Sequence, residues 1–248
     1  MGLTIHYDLL APPETDAARA HELVRQMRRR AQAFQRRGRV DKVLPIGSDA
    51  KTLRRAEDYK DVPHPWQPGR RSGIEIPVEE GFLFFVDVGM DCEPAPFALC
   101  RYPKTVVMGG RRYRTGLPGW RFHGFSKTQY ASLQGWEHFR RCHTAVIDLV
   151  DGMRRLGLEV RISDEGDYWP GRSLPALRRN LDEMNGVVAA AAGALKDMDE
   201  AFNGQSAMES PIFRHLQYER LEAEGAAVTA PLVRLLDTAR KRQRTDAG

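Results

Sequence analysis

Cysteine is scarce in this 248-residue sequence, which contains three in all. A small and odd number of cysteines excludes the disulfide framework of small secreted domains, so we expect a reducing, cytoplasmic setting. No apolar run approaches the roughly 20 residues that a membrane-spanning helix needs. The first residues, MGLTIHYDLLAPPE, also lack the basic start and apolar stretch of a secretory signal.

The common catalytic signatures are missing as well. The sequence has no glycine-rich dinucleotide fingerprint, P-loop, G-x-S-x-G elbow or H-E-x-x-H pair. Lysine is rare, because 31 of the 38 basic residues are arginine. The net charge of +5 is spread along the chain among 33 acidic residues, so it indicates nucleic-acid binding only weakly.

What the sequence does contain is a regular alternation of strand and helix patterns. Residues 3–9 alternate apolar and polar side chains, as a half-buried strand does. Amphipathic helices are predicted over about 15–37 and 135–156, and further strands over 41–46, 119–129 and 158–163. This order predicts an α+β protein with a ferredoxin-like (split βαβ) sandwich as its core.

Two segments lie outside that core pattern. Residues 48–118 form an inserted region, in which 51–73 is polar and predicted to be exposed. The apolar run GFLFFVDVGM (81–90) is either an extra strand of this insertion or the true third strand. A core domain over 1–172 would then be followed by a helical extension over 173–248, with helices at 173–196 and 227–243 packed on the core.

The ferredoxin-like order makes a geometric prediction about polar residues. In that fold the third and fourth strands flank the first strand and run antiparallel to it, so their carboxyl ends share one edge of the sheet. Lys127 and Gln129 end the third strand, and the acidic stretch RISDEGDYW (161–169) ends the fourth. His6 lies on the strand between them.

These residues suggest a catalytic site. The predicted acid, base and charge-stabilising groups are Lys127, Asp164, Glu165 and His6. A divalent cation such as Mg²⁺ would be held by Asp164, Glu165 and Asp167. Substrate contacts would come from Gln129, Tyr130, Tyr168 and Trp169. The alternative is that Asp-Glu-Gly-Asp is a solvated turn, because these residues favour turns.

A structural zinc site is disfavoured by the cysteine spacing. Cys92 and Cys100 are eight residues apart, whereas zinc ligands commonly come in pairs two to four residues apart. Cys100 and Cys142 are expected to be small core residues, and His143 lies on the apolar stripe of its helix.

Together these features favour a metal-assisted hydrolase or phosphoester-processing enzyme that acts on a small or phosphate-containing ligand. The alternative is a non-catalytic binding module. Its arginine-rich helix (25–39) would contact an acidic partner or nucleic acid, and its C-terminal helices would form a homo-oligomer or partner interface.

Four sequence blocks resemble a family of uncharacterised bacterial proteins of about this length. The blocks are MGLTIHY, CEPAPFALCRYP, GW…FSKTQYA and ISDEGDYW, and the resemblance covers roughly residues 1–225. It implies no activity, cofactor or catalytic residue. Some relatives are expected to carry cysteine where this chain has Ser126, which argues against Ser126 as a nucleophile.

Overall fold

A six-stranded antiparallel sheet forms the centre of the protein. The computed structural model describes residues 3–63, 66, 67, 69–200, 211–215, 218 and 221. Along the chain the strands are β1 (Thr4–Leu10), β2 (Lys42–Val43), β3 (Asp58–Pro63), β4 (Arg71–Ile76), β5 (Glu80–Asp87), β6 (Ala95–Arg101), β7 (Thr105–Met108), β8 (Arg111–Arg114), β9 (Trp120–Lys127) and β10 (Glu159–Asp164).

Two long helices, α1 (Ala17–Arg36) and α3 (Trp136–Gly152), cover one face of this sheet. The other helices are a single turn α2 (Ala50–Leu53) and the long α4 (Leu174–Glu200). Short 3-10 turns occur at Arg54–Ala56, Gln129–Gln134, Met153–Leu156 and Pro211–Arg214. Asp16 caps α1, because its carboxylate accepts a 2.7 Å hydrogen bond from the N–H of Arg19.

The strand order of the sheet is β10-β1-β9-β6-β5-β2. The alternation in β1 buries Ile5, Tyr7 and Leu9 against α1 and α3, where they join the main hydrophobic core. The α+β class predicted from the sequence is therefore confirmed, and β9 and β10 flank β1 antiparallel, as expected.

The placement of β2 differs from the expected four-stranded order. β6 and β5 lie between β9 and β2, so the four predicted core strands are not all neighbours. The run at 81–90 forms β5, which is a member of the main sheet. It is buried on both faces, which explains why its sequence is continuously apolar instead of alternating.

The predicted exposed excursion over 51–73 is instead partly a core element. Leu53, Ala56 and Val62 are buried there, on the side of the sheet away from α1 and α3. The hydroxyl of Tyr102 donates a 2.7 Å hydrogen bond to the carbonyl of Ala56. This segment therefore covers the back of β5 and β6, and its 3-10 turn at Arg54–Ala56 also approaches β9. Within the described part of the chain it leaves open the back of β10 and β1 and the positions of His123 and Phe125 on β9.

The C-terminal region is described only in part. α4 confirms the predicted helix, and the hydroxyl of Ser173 accepts a 3.2 Å hydrogen bond from the N–H of Ala176 in its first turn. The helix predicted at 227–243 lies outside the described residues, and a boundary at 172 stays a prediction. Of the helices that are described, none has the length and apolarity to cross a membrane.

Gly124 on β9 provides a test of core packing. A Cβ at this position would lie 2.6 Å from the ring of Phe122 and 2.7 Å from that of Tyr7. Because Tyr7 is fully buried, we expect Gly124→Ala to lower the free energy of unfolding by about 1–3 kcal/mol in urea titrations. Gly73→Ala on β4 is the control, since its Cβ would meet no atom within 4 Å. Equal losses in both variants would contradict this packing.

Candidate functional site on the open sheet face

The uncovered face of β10, β1 and β9 carries a regular array of polar and aromatic side chains. Directly paired residues of antiparallel strands point to the same face. The pairs Thr4–Lys127, His6–Phe125 and Asp8–His123 join β1 to β9, and His6–Ser163 and Asp8–Arg161 join β1 to β10. The N–H of Glu165 donates a hydrogen bond to the carbonyl of Thr4, which places Glu165 beside these pairs. We call the paired residues and Glu165 the open-face grid; its members are Thr4, His6, Asp8, His123, Phe125, Lys127, Arg161, Ser163 and Glu165.

Two histidines of the grid each lie beside a carboxylate. Nδ1 of His123 is 3.1 Å from Oδ1 of Asp8, and Nε2 of His6 is 4.0 Å from Oε1 of Glu165. The two imidazole rings are nearly parallel, with centroids 6.1 Å apart. All four side chains are partly exposed, so a ligand on this face can reach both rings.

Phe125 adds an exposed aromatic ring to the grid. Its exposed fraction is 51%, and its centroid lies 6.1 Å from that of His6. An aromatic ring that is open to solvent on a sheet face offers a flat surface for stacking a base or another planar group. Lys127 follows two residues later on the same strand and supplies a positive charge.

Asp164 does not belong to this face. It pairs with Ile5, so its side chain points to the helix-covered side and is fully buried. Its Oδ1 accepts a 2.8 Å hydrogen bond from the N–H of Gly166, and its Oδ2 accepts bonds of 2.9 Å from the N–H groups of Tyr168 and Trp169. The carboxylate therefore holds the turn after β10 in place.

The pKa of Asp164 is set by opposing effects. Burial raises the pKa of the carboxyl, but the contact with His143 and the backbone N–H groups of Trp169 and Gly166 outweigh burial. The pKa therefore lies below the ordinary value for aspartate. Nε2 of His143 is 3.0 Å from Oδ1 of Asp164. The two groups are in electrostatic contact, but their orientation is not that of a hydrogen bond.

Thr128 completes a buried chain of polar groups. Its hydroxyl lies 2.8 Å from Nδ1 of His143, which gives a hydroxyl, an imidazole and a carboxylate in sequence. The same residue types form catalytic triads. Here Thr128 and His143 are 0% exposed, so no substrate reaches the hydroxyl and the chain is a structural network that joins β9, α3 and β10.

The three predicted metal ligands do not converge. Asp164 is buried, while Oε2 of Glu165 accepts a 2.8 Å bond from the N–H of Thr4. Oδ2 of Asp167 accepts a 2.9 Å bond from the amide of Asn180. Among the described residues, no group of three or more His, Cys, Asp or Glu side chains is arranged to hold a metal ion. The geometry of these carboxylates does not support the predicted cation site.

The predicted substrate contacts also lie away from the grid. Oε1 of Gln129 accepts a 3.2 Å bond from the N–H of Leu3, and its amide donates a 2.9 Å bond to Asn185. Tyr130 is half-buried in the 3-10 turn after β9. Tyr168 and Trp169 contact the core beneath the guanidinium of Arg172, whose Cζ is 5.4 and 4.9 Å from the two ring centroids. These aromatic residues anchor the turn.

The edge predicted from the sequence therefore exists, but the alternation of strand side chains divides it between two faces. Lys127 and Asp164 pair with neighbouring residues of β1, as expected, yet they point in opposite directions. His6, Lys127 and Glu165 lie together on the open face. The residues missed were Asp8, His123 and Phe125. The alternating positions of RFHGFSK in β9 could have indicated His123 and Phe125, and the alternation of β1 could have indicated Asp8.

No protein-family model, curated protein or solved structure matches the chain. The resemblance of the four sequence blocks to a bacterial family therefore stays a prediction, and the geometry of the open face is what bears on function.

Proposed function

We propose that the protein is a phosphoester-processing enzyme that cleaves single-stranded RNA on the open-face grid. The observation that carries the proposal is the pair of exposed histidines, each beside its own carboxylate and 6.1 Å apart between ring centroids. Imidazole is the side chain best suited to exchange protons near neutral pH, and two of them provide a base and an acid for one step.

The contacts of the two rings suggest their roles. When Nδ1 of His123 donates to Asp8, Nε2 keeps a free lone pair and can take a proton. His6, whose Nε2 lies 4.0 Å from Oε1 of Glu165, would then act as the acid that gives a proton. His123 would take the proton of an RNA 2′-hydroxyl as its oxygen bonds to phosphorus. The bond from phosphorus to the 5′-oxygen would break as His6 protonates that oxygen.

The remaining grid residues fit this substrate class. Lys127 can stabilise the negative charge that develops on the phosphoryl oxygens. Phe125 can stack an unpaired base, which favours a single strand over a duplex. The internal 2′-hydroxyl serves as nucleophile, so the step needs only the proton transfers that these residues provide. The products are a 2′,3′-cyclic phosphate and a free 5′-hydroxyl.

The test is to incubate the full chain with a single-stranded RNA and with DNA of the same sequence, both in excess EDTA. We expect the RNA to be cut to cyclic-phosphate ends and the DNA to stay intact. His6→Asn should slow the cleavage by about 10²–10⁴-fold, the typical contribution of a general acid or base.

The matched control is His138→Asn, because His138 lies on α3 and its ring contacts the carbonyl of Met90, away from the grid. This variant should cleave at the wild-type rate. Intact RNA with the wild-type protein would contradict the proposal, and so would equal cleavage by the wild-type protein and His6→Asn, which indicates a contaminating nuclease.

A second candidate function uses the same surface without chemistry. The large exposed ring of Phe125 favours a non-catalytic module that binds single-stranded nucleic acid. Binding that weakens with salt and with Phe125→Ala, without cleavage, would favour this second function.

For the fold, we propose a ferredoxin-like frame with a hairpin inserted into its sheet. Every neighbouring pair in the sheet is antiparallel, so strands an even number of positions apart in the strand order run parallel. This holds for β1 and β2 and for β9 and β10, so the units β1-α1-β2 and β9-α3-β10 each connect parallel strands through a helix. Insertion of β5 and β6 between β9 and β2 accounts for the difference from the four-stranded order.

A further inference from the structure

A groove lined by arginine lies between α1 and the segment that follows β2. Its volume is about 420 Å³, within the range of small-ligand sites. His21, Arg25, Arg28 and Arg29 form one wall, because positions 21, 25, 28 and 29 share a face of the helix. The groove lies on the helix-covered side of the sheet, opposite the open-face grid.

Arg28 is held in a fixed position within this groove. It is half-buried, and its Nε donates a 2.8 Å hydrogen bond to the carbonyl of Leu44. Within the described residues, the two terminal nitrogens of Arg28 have no hydrogen-bond partner. A guanidinium that is anchored through Nε and free at both Nη atoms is prearranged to bind an anion.

The groove carries an excess of positive charge. Three arginines face it, and one carboxylate, Glu22, contacts two of them at 3.7 Å to Arg25 and 2.7 Å to Arg29. One carboxylate cannot neutralise three guanidinium groups, so an anion with more than one negative charge is favoured. The planar fork of donors on arginine matches the oxygens of a phosphate group.

The other walls can accept an organic group. The ring of His21 stacks on Phe82 at 4.5 Å between centroids, and Phe82 stacks on Trp120 at 5.9 Å. Pro45 and Ile46 line the opposite side and are apolar. We infer that this groove binds a small organic phosphate, with the phosphate on the arginines and the organic group between the His21 ring and Pro45–Ile46.

The inference goes beyond the proposed cleavage of RNA and does not depend on it. It is tested by thermal unfolding of the full chain with inorganic pyrophosphate and with adenosine diphosphate. Each ligand should raise Tm by roughly 5 °C at about 100-fold above its Kd. Adenosine diphosphate should bind at least tenfold more tightly, because its nucleoside contacts the ring and the apolar wall.

The variant Arg25→Gln with Arg29→Gln removes two exposed cations while Arg28 keeps its bond to Leu44. We expect it to fold and to lose the ligand-induced rise in Tm. Arg36→Gln removes the same kind of charge from the last turn of α1, outside the groove, and should keep the full rise.

Three results would overturn the inference. The first is that neither ligand raises Tm, and the second is that the double variant responds as the wild type does. The third is that single-stranded RNA raises Tm through these arginines while pyrophosphate does not, which would make the groove a nucleic-acid contact. Equal affinities for the two ligands would overturn the assignment of the organic group to the His21 wall.

Discussion

Replacing Asp164 with alanine is expected to lower the free energy of unfolding by about 3–5 kcal/mol, a large fraction of the stability of a domain. The substitution removes the acceptor of three part-buried backbone N–H groups, and it removes the carboxylate that lies 3.0 Å from Nε2 of the buried His143. Urea unfolding followed by circular dichroism measures the loss.

The control for this prediction is Asp167→Asn in the same turn. Asp167 is exposed and has φ 53°, a left-handed conformation that asparagine also tolerates. We expect this variant to lose less than about 0.5 kcal/mol. If Asp164→Ala does not fold, Asp164→Asn keeps one acceptor oxygen and should show an intermediate loss. A loss no larger than that of Asp167→Asn would show that the Asp164 network does not stabilise the fold.

The same network makes stability depend on pH. The pKa of Asp164 is lower in the folded protein than in the unfolded chain, because the contact with His143 and the backbone N–H groups outweigh burial. The unfolded state therefore binds the proton more readily, so this contribution is present above the ordinary aspartate pKa of about 4 and is lost as pH falls through the lower, folded value. Asp164→Asn should lose less stability than the wild type across that acidic range.

The double variant His6→Asn with His123→Asn is expected to slow RNA cleavage no more than either single variant does. If His123 and His6 are the base and the acid of a single step, His6→Asn, His123→Asn and the double variant should each slow cleavage by about 10²–10⁴-fold. The measurement is the single-turnover rate of the three variants against the wild type, at saturating protein.

The opposite pattern would contradict the assignment. Losses that multiply in the double variant would indicate independent roles, and full activity in either single variant would exclude that ring from the step. Because both rings are partly exposed, the variants should keep the wild-type Tm, which separates a loss of chemistry from a loss of fold.

Local patterns were enough to predict most elements of the sheet. The alternation in 3–9 and the apolar positions of the two long helices depend on side-chain periodicity, which is encoded over a few residues. The prediction that 51–73 is exposed is wrong in part. Most of the segment is polar, but its few apolar residues Leu53, Ala56 and Val62 are buried against the sheet. Burial there depends on β5 and β6, which are separate in the sequence.

The candidate site was also predictable from the sequence only in part. The sequence placed Lys127, His6 and the acidic turn at one edge, and the register of β1 with β9 and β10 confirms that neighbourhood. It could not show that Asp164 would be turned inward to the N–H groups of its own turn, while Glu165 would remain beside His6.

By itself the sequence determined the α+β class, the helices that cover the sheet and the edge at which the polar residues collect, because periodicity and chain order encode them. Only the tertiary structure decided which face each side chain takes. A shift of one residue in strand register moves every side chain to the other face. The observed register buries Asp164 with His143 and exposes His6, His123 and Phe125 together.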